Sequence, residues 1–316
     1  MTTSALRLPS APAASRRLTV TAGTAAAALA LYLLLGGTTA TLGHALNRAV
    51  GAQPAWLGLA VAAEAVSIAG YVVLFTHVTG TGLGLGYRIS LAGTAATRLL
   101  PTAGAGGVAF TVWALRRHTG SAAHAGTLVL RFLCVLYAVF LLGLLGAGVL
   151  AAAGGRTWAL APAAAAALAM AGAVAMARRG RDDEPLRVRL GRRAVELPRL
   201  GPQVREAGRL VREGNASLLG AVAWWAADAA VLALAFAAVG AAPAASVLLL
   251  VYFVGAVANT VPVPGAMSGG LVAVAVLCGV EPADAIAGVV LYRAVAMWLP
   301  TPFGAHALVR LRAGEA

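Results

Sequence analysis

Hydrophobic positions along this chain come in long unbroken runs, not in the stripes of an amphipathic helix. Leu18 to Leu42, Ala55 to Val78 and Gly126 to Ala153 each exceed the ~20 residues an α-helix needs to cross a hydrocarbon core of about 30 Å. Further runs over 157–177, 216–240 and 284–310 bring the predicted spanning helices to about six. Two stretches break this pattern. Within residues 83–118, short apolar pieces near 88–100 and 105–115 flank Pro101-Thr-Ala-Gly104-Ala-Gly-Gly107. Residues 244–280 are interrupted by Pro262-Val-Pro264-Gly265 and Gly269-Gly270. Pieces this short do not span comfortably, and both stretches are predicted as re-entrant hairpins. The predicted fold is therefore all-α and polytopic, with about eight hydrophobic segments in all. Residues 1–17 are predicted to be a disordered tail, and 18–312 a single transmembrane domain with one polar excursion at 178–214. That excursion reads equally as a surface helix or a loop, and Asn47, Arg48 and Pro54 read as a loop.

The broken stretches resemble one another. Arg98-Leu-Leu-Pro101-Thr-Ala-Gly104 stands beside Asn259-Thr-Val-Pro262-Val-Pro264-Gly265, and Ala125-Gly126-Thr-Leu-Val-Leu-Arg131 beside Ala287-Gly288-Val-Val-Leu-Tyr-Arg293. The first prolines are 161 positions apart and the arginines 162. Each unit opens with a helix that carries one acid, Glu64 or Asp228. Two repeats are predicted, over about 55–153 and 216–310.

Charge sets the orientation. All 24 basic residues are arginine, against 11 acids, and eleven of them lie between Arg178 and Arg212. The positive-inside rule puts that segment, Arg16/Arg17, Arg116/Arg117, Arg310/Arg312 and both termini in the cytoplasm, and the loop with Glu281 and Asp284 outside. The helices bearing Arg131 and Arg293 then run in opposite directions, so the repeats are inverted, as in many secondary transporters. No nucleic-acid motif accompanies the charge, and nucleic acid is not an expected partner. Arg7, Arg16 and Arg17 before an apolar run resemble a signal peptide, but the run outlasts the usual apolar core of one. A retained first helix in the inner, cytoplasmic membrane is expected.

Charges inside spans are costly and mark function by default. The candidates for binding substrate are Arg98, Arg131, Asp228 and Arg293, with Pro101, Gly104, Asn259, Pro262, Pro264 and Gly265 shaping the hairpin tips. Arginine forks suit phosphate or carboxylate, and a helix restarting after Gly104 or Gly265 presents its positive end to an anion. Arg131 and Arg293 lie about 15 Å into their helices and are expected to face one shared central cavity. The bland alternative is buried pairing, for example of Arg293 with Asp228. Cys134 and Cys278 read as small core residues. The five histidines show no metal spacing, and Ser268 lacks a nucleophile-elbow pattern. No metal, cofactor or enzymatic activity is expected.

Pro262-Val-Pro264-Gly265, then Gly279-Val-Glu281-Pro282, Leu291-Tyr292-Arg293 and Trp298-Leu299-Pro300 with Gly304, resemble the C-terminal signature of the lysylphosphatidylglycerol synthase transmembrane, or flippase-like, family. Trp224-Trp225-Ala-Ala-Asp228 and Arg98-x-x-Pro101-x-x-Gly104 are similar to its earlier elements. The resemblance covers roughly residues 20–310. It implies the membrane part of enzymes that make and translocate aminoacylated phosphatidylglycerol, or a stand-alone relative of it. No soluble aminoacyl-transferase domain follows within these 316 residues, so synthase activity is not implied. One departure stands out. The family often shows Pro-Gly-Gly-Leu-Gly followed by a glutamate, and here Leu271 falls where that acid would be.

The expected function is a flippase-like translocase of an anionic lipid or lipid-linked intermediate, with anionic headgroups as its partners. The alternative is a non-transporting accessory subunit of a lipid or cell-envelope enzyme, with a membrane-protein partner or a second copy of the chain. The orientation is testable with single cysteines at Arg187 and Glu281, placed in a background in which Cys134 and Cys278 are serine. An impermeant thiol reagent on intact cells should label position 281 and spare 187. The reverse result would overturn the orientation.

Overall fold

The computed structural model describes residues 39–99, 104–178, 186–190, 193–197, 200–213, 215, 217–261 and 265–313. The first predicted span, 18–42, and the tail before it lie almost wholly outside these. The described chain opens instead with helix α1, Thr39–Val50, which absorbs Asn47 and Arg48. That corrects the loop expected there. Ala45 is buried with Val239 and Ala283, Ala49 packs on the same cluster, and Arg48 pairs with Asp284 at 3.0 Å, so tertiary contacts override the polar sequence.

The first unit follows: α2, Pro54–Thr79; α3, Leu83–Leu99; α4, Ala105–Thr119; and α5, Ala122–Ala153. Pro54 supplies the fixed φ of a first helical turn, and Gly80 ends α2 in the left-handed conformation. A short 3-10 turn, Thr157–Ala159, leads into α6, Leu160–Arg178. The arginine-rich segment holds the surface helix that was one of its two readings, and where the other reading had a loop it forms a strand pair that the all-α expectation did not include. Strands β1, Leu186–Leu190, and β2, Arg193–Leu197, pair antiparallel, and helix α7 covers Leu200–Arg212.

The second unit repeats the first: α8, Ser217–Ala238; α9, Ala245–Val257, with a 3-10 turn to Thr260; α10, Ala266–Leu277; and α11, Pro282–Arg293. A π-helical turn, Ala294–Trp298, then leads past Pro300 into α12, Thr301–Ala313. Among the described residues, five stretches are long and apolar enough to span a membrane: Pro54–Thr79, Ala122–Ala153, Thr157–Arg178, Leu218–Ala238 and Pro282–Leu311. The last is the predicted 284–310 span, broken by the π turn.

Local geometry marks the repeat more sharply than residue identity does. Among the described residues, six of the seven positive-φ glycines form three pairs 159 to 161 positions apart: Gly80 with Gly240, Gly104 with Gly265, and Gly120 with Gly279. Ser121 caps α5 through the amide of His124, and Glu281, 160 positions on, caps α11 through that of Asp284.

The units are inverted. The Ser67 hydroxyl donates to the Trp224 carbonyl at 3.2 Å, and Gly220 lies against Gly70 and Leu74. Numbering rises along α2 as it falls along α8, so these equivalent helices are antiparallel. Helix α5 starts where α8 starts, with Ala125 and Ala221 in one buried cluster, and the Trp225 indole donates to the Leu136 carbonyl further along. Helix α11 starts where α8 ends. Ala283 meets Val239, Gly288 meets Phe236, and Tyr292 reaches Asp228. Helices α5 and α11 therefore oppose each other, as the charge distribution predicted.

Each unit also lends a hairpin to the other. The arms α3 and α4 run antiparallel, with Gly93 against Thr111 and Gly107 against Thr97; in α9 and α10, Gly255 lies against Leu271. Helix α3 packs on α12, where Gly304 meets Leu91 and Ala95. Helix α9 packs on the second half of α5, where Gly143 meets Phe253. The first hairpin opens at the end of the bundle where α2 stops, and the second at the opposite end. The former end also collects arginines. Arg117 donates to the Leu311 carbonyl at 3.0 Å and stacks over Trp113, and Arg205 donates to the Ala177 carbonyl at the close of α6.

The α2–α8 crossing admits no side chain at its centre. A Cβ added to Gly70 would lie 2.6 Å from the Gly220 carbonyl oxygen, and one on Gly220 would lie 2.7 Å from that of Gly70. Gly70→Ala and Gly220→Ala should each cost about 1–3 kcal/mol, read as a lower melting temperature of the detergent-solubilised protein. Gly172→Ala on α6, where the added methyl meets nothing within 4 Å, should be neutral or stabilising. Equal melting of all three variants would contradict the crossing.

Candidate functional site

The buried polar centre lies where α2 and α8 cross. Asp228 is about halfway along α8. Its Oδ2 accepts hydrogen bonds from the Tyr252 hydroxyl of α9 at 2.5 Å and the Tyr292 hydroxyl of α11 at 3.0 Å. Both phenols are essentially inaccessible, at 0% and 1% exposure. Glu64, ten residues into α2 and 3% exposed, acts electrostatically on both tyrosines. Carboxylates at such depth are tolerated only with partners, and here two phenols from different elements converge on one oxygen. Aromatic rings close around them. Trp225 lies 4.8 Å from Phe140 and 6.3 Å from Tyr252, and Tyr252 meets Phe253 edge-on at 5.1 Å.

Arg293 follows Tyr292 and points toward the start of α10. Its guanidinium donates to the thioether sulfurs of Met267, at 3.4 Å, and Met297, at 2.9 Å. Thioethers are weak acceptors, so a permanent cation rests on soft, poorly compensating neighbours. Met267 lies in the first turn of α10, two residues after Gly265. Arg293 is thus seated near the tip of the second hairpin, on the turn whose dipole favours an anion. The π turn follows Arg293 directly, with an i→i+5 bond from the Leu299 amide to the Ala294 carbonyl.

Arg131 does not share this site. Its Nε donates to Gln203 of α7 at 3.1 Å, and it lies within electrostatic reach of Glu206. The expected common cavity is therefore corrected: Arg293 faces a hairpin tip, whereas Arg131 docks the amphipathic α7 onto α5. The reason is helical phase. Equal depth fixes height, but the face depends on what covers the helix, and Ala207 and Leu210 of α7 pack over this end of the bundle. On α7 itself, the hydrogen bond from Arg209 holds the Glu206 carboxyl below its ordinary range.

The remaining candidates sit at the tips. Arg98 occupies the last turn of α3, and its side chain lies outside the described residues, as do Pro101, Pro262 and Pro264. Gly104 and Gly265 open α4 and α10 with φ of +86° and +82°, a conformation that favours glycine. Asn259 is exposed in the 3-10 turn that closes α9. Leu271 is fully buried against Gly255, so the departure from the family pattern is an apolar packing position. The carboxylates of the centre are instead Glu64, which is buried, and Asp228, which is half-buried.

The first unit lacks an equivalent of this phenol cluster. Leu91 and Phe253 occupy matching places against Gly304 and Gly143, which puts Ser90 where the second unit has Tyr252. The short Ser90 side chain leaves a void of about 10 Å³, room for at most one water, bounded by Ile68, Tyr71, Thr94, Trp224 and Pro300. The Ser90 hydroxyl and the Trp224 indole N–H are buried at this cavity and make no hydrogen bond. Sequence reasoning missed Tyr252, Ser90 and Gln203, because single polar groups in apolar runs look like packing. The one available signal was Tyr292 beside Arg293.

The fold and the site define a polytopic α-helical membrane protein of two inverted units around a buried acid–phenol centre. The chain belongs to the lysylphosphatidylglycerol synthase TM region family, whose model matches residues 20–304, and this membership links it to lipid handling. Among curated proteins none matches the chain.

Tyr252→Phe and Tyr292→Phe each remove one hydrogen bond from Asp228 and should each cost about 1–3 kcal/mol. Tyr137→Phe, on a side chain half exposed at the bundle surface, should change little. Thermal melting in detergent reads all three. Silent substitutions at both 252 and 292 would show that the phenols do not hold Asp228.

Proposed function

We propose that the protein is a translocase of an anionic lipid or lipid-linked intermediate in the cytoplasmic membrane, with the arginine-rich end and both termini cytoplasmic. The observation that carries this reading is the exchange of broken hairpins between inverted units. Each hairpin packs on the other unit's long helix and has a left-handed glycine at its tip, and the two enter from opposite ends of the bundle. Read in a membrane, both hairpins are re-entrant. Irregular backbone at that depth is tolerated where it lines protein or a polar cavity, and inverted units with broken helices suit alternating access.

Arg293, and Arg98 by its place three residues before Pro101, are the cations for a phosphate near the tips. Arg131 is removed from that role. The protein acts without catalysis of its own, and Glu64 and the half-buried Asp228 serve as the central carboxylates.

One observation favours the accessory-subunit reading. The centre around Asp228 is filled by aromatic side chains, with no open passage evident among the described residues. For a translocase this packing is the closed state, in which the hairpins must shift before a headgroup can pass.

Transport is measurable with purified protein in vesicles that carry fluorescent phosphatidylglycerol. A membrane-impermeant reductant bleaches the outer leaflet only, and protein-containing vesicles should then lose the protected inner half faster than protein-free ones. Arg293→Ala should slow that loss while leaving expression intact, and Arg293→Lys should slow it less. Identical bleaching with and without protein, for phosphatidylglycerol and for a polyprenyl phosphate alike, would favour the accessory subunit.

A further inference from the structure

The first unit has a buried polar pair of its own. Ser90 of α3 and Trp224 of α8 each lie seven residues into their helix, and both helices begin at the arginine-rich end, so by helical rise the two share a depth of about 10 Å. Helix α3 packs on α2, α4 and α12 rather than on α8, and the gap left toward α8 is the void bounded by Ile68, Tyr71, Thr94 and Pro300. Ser90 is 3% exposed, and neither its hydroxyl nor the Trp224 indole N–H has a hydrogen-bond partner among the described residues. The neighbouring Trp225 shows the usual outcome, giving its N–H to the Leu136 carbonyl at 2.8 Å.

Packing fixes the direction of the Trp224 N–H. The ring leans on Tyr71 at 4.6 Å, and the Ser67 hydroxyl donates to the Trp224 carbonyl at 3.2 Å. An indole N–H only donates, whereas a serine hydroxyl both donates and accepts. Thr94 borders the same void and gives its proton to the Ser90 carbonyl at 2.8 Å, which leaves lone pairs on its oxygen. A water in the void therefore has three groups to bond: it accepts from Trp224 and reaches Ser90 and Thr94. A buried water makes about three such bonds and needs roughly 10–15 Å³; the void is about 10 Å³. Anything larger is excluded by size, and none of the described residues lining the space is a carboxylate that would hold a cation.

We infer that this void is a hydration site, in which one water bridges the Trp224 indole N–H of α8 to the Ser90 hydroxyl of α3. The water stands where the second unit has the Tyr252 phenol. Tyr252 fastens α9 to Asp228 of α8 by a bond within the chain; the first unit fastens α3 to α8 through a molecule that can leave. Polar groups at this depth need a partner because lipid offers none. The water is thus the joint of the first hairpin, and α3 can shift without breaking a bond between side chains. The site stands on the geometry alone, and its role as a joint rests on the translocase reading.

A density map of the unaltered protein in lipid nanodiscs, at a resolution that shows ordered water, tests the site. A peak should lie within hydrogen-bond distance of both Ser90 Oγ and Trp224 Nε1. An empty void would overturn the site, as would a Ser90 hydroxyl turned onto Trp224 itself or onto the Gly86 carbonyl one turn back. The same map of Ser90→Val, which is apolar at that place, should lose the peak, and a peak that persists would overturn the bridge. The vesicle assay tests the joint. Ser90→Asn carries a carbonyl oxygen of its own toward Trp224, should displace the water, and should slow lipid movement several-fold while the melting temperature holds or rises. Ser90→Ala removes one anchor of the water and should move lipid at least as fast as the wild type; slower transport there would overturn the joint. Undiminished transport by a folded Ser90→Asn protein whose map shows the water displaced would overturn the joint and leave the water site. A mapped water in a wild type that moves no lipid would overturn translocation and leave the site standing.

Discussion

The contact between Gly70 and Gly220 fixes how near α2 and α8 approach, and that distance governs what surrounds them. In a bilayer, apolar surface gains little by leaving lipid for protein, so helices associate through close packing and buried polar contacts. Two glycines facing one another bring backbones into direct contact, and each excludes a methyl on the other. Glycines at 93, 107, 143, 255, 270 and 304 extend the device to the hairpin arms and to the long helices that receive them. At these positions glycine is a packing requirement.

Close approach has an electrostatic consequence. With α2 and α8 this near, Glu64 and Asp228 enter a region walled by Trp225, Phe140 and Tyr252, where an unpartnered carboxylate would be costly. The phenols that answer Asp228 come from α9 and α11, the first arm of a hairpin and the helix before the π turn. One carboxylate oxygen on α8 therefore ties together three helices of the second unit, α8, α9 and α11. Shifting the hairpin away from α5 requires breaking or carrying this link.

The sequence showed the spans and the hairpins because both rest on one-dimensional signals: run length, and proline or glycine interrupting a run. The inversion was legible for a similar reason, since arginine placement reports the ends of helices. What stayed hidden depends on helical phase. A helix apolar on every side gives no face, so Arg131 at the right depth could not be told from Arg131 beneath α7, and the fit of Tyr252 to Asp228 could not be told from simple packing. Helix α1 was missed because its few buried alanines and its ion pair with Asp284 act only after α11 is in place. Within 178–214, the arginines report a side of the membrane and nothing about strands.

Inverted repeats invite the assumption that the two halves do the same work in turn, and the residues here argue otherwise. Where the second unit places Tyr252 against Asp228, the first places Ser90, whose hydroxyl faces a cavity and makes no bond. A short hydrogen bond to Asp228 holds α9 in register, whereas α3 leaves the Ser90 hydroxyl unbonded and has other hydroxyls that bond mostly to their own helix, as Thr94 to the Ser90 carbonyl and Thr97 to that of Gly93. Repacking α3 breaks no buried charge-assisted bond at that place, and repacking α9 breaks one. Of two hairpins alike in outline, the first is the cheaper to move, and it is also the one that packs against α12 at the arginine-rich end. The symmetry of the backbone sets out two matching hairpins, and the side chains hold one of them less firmly.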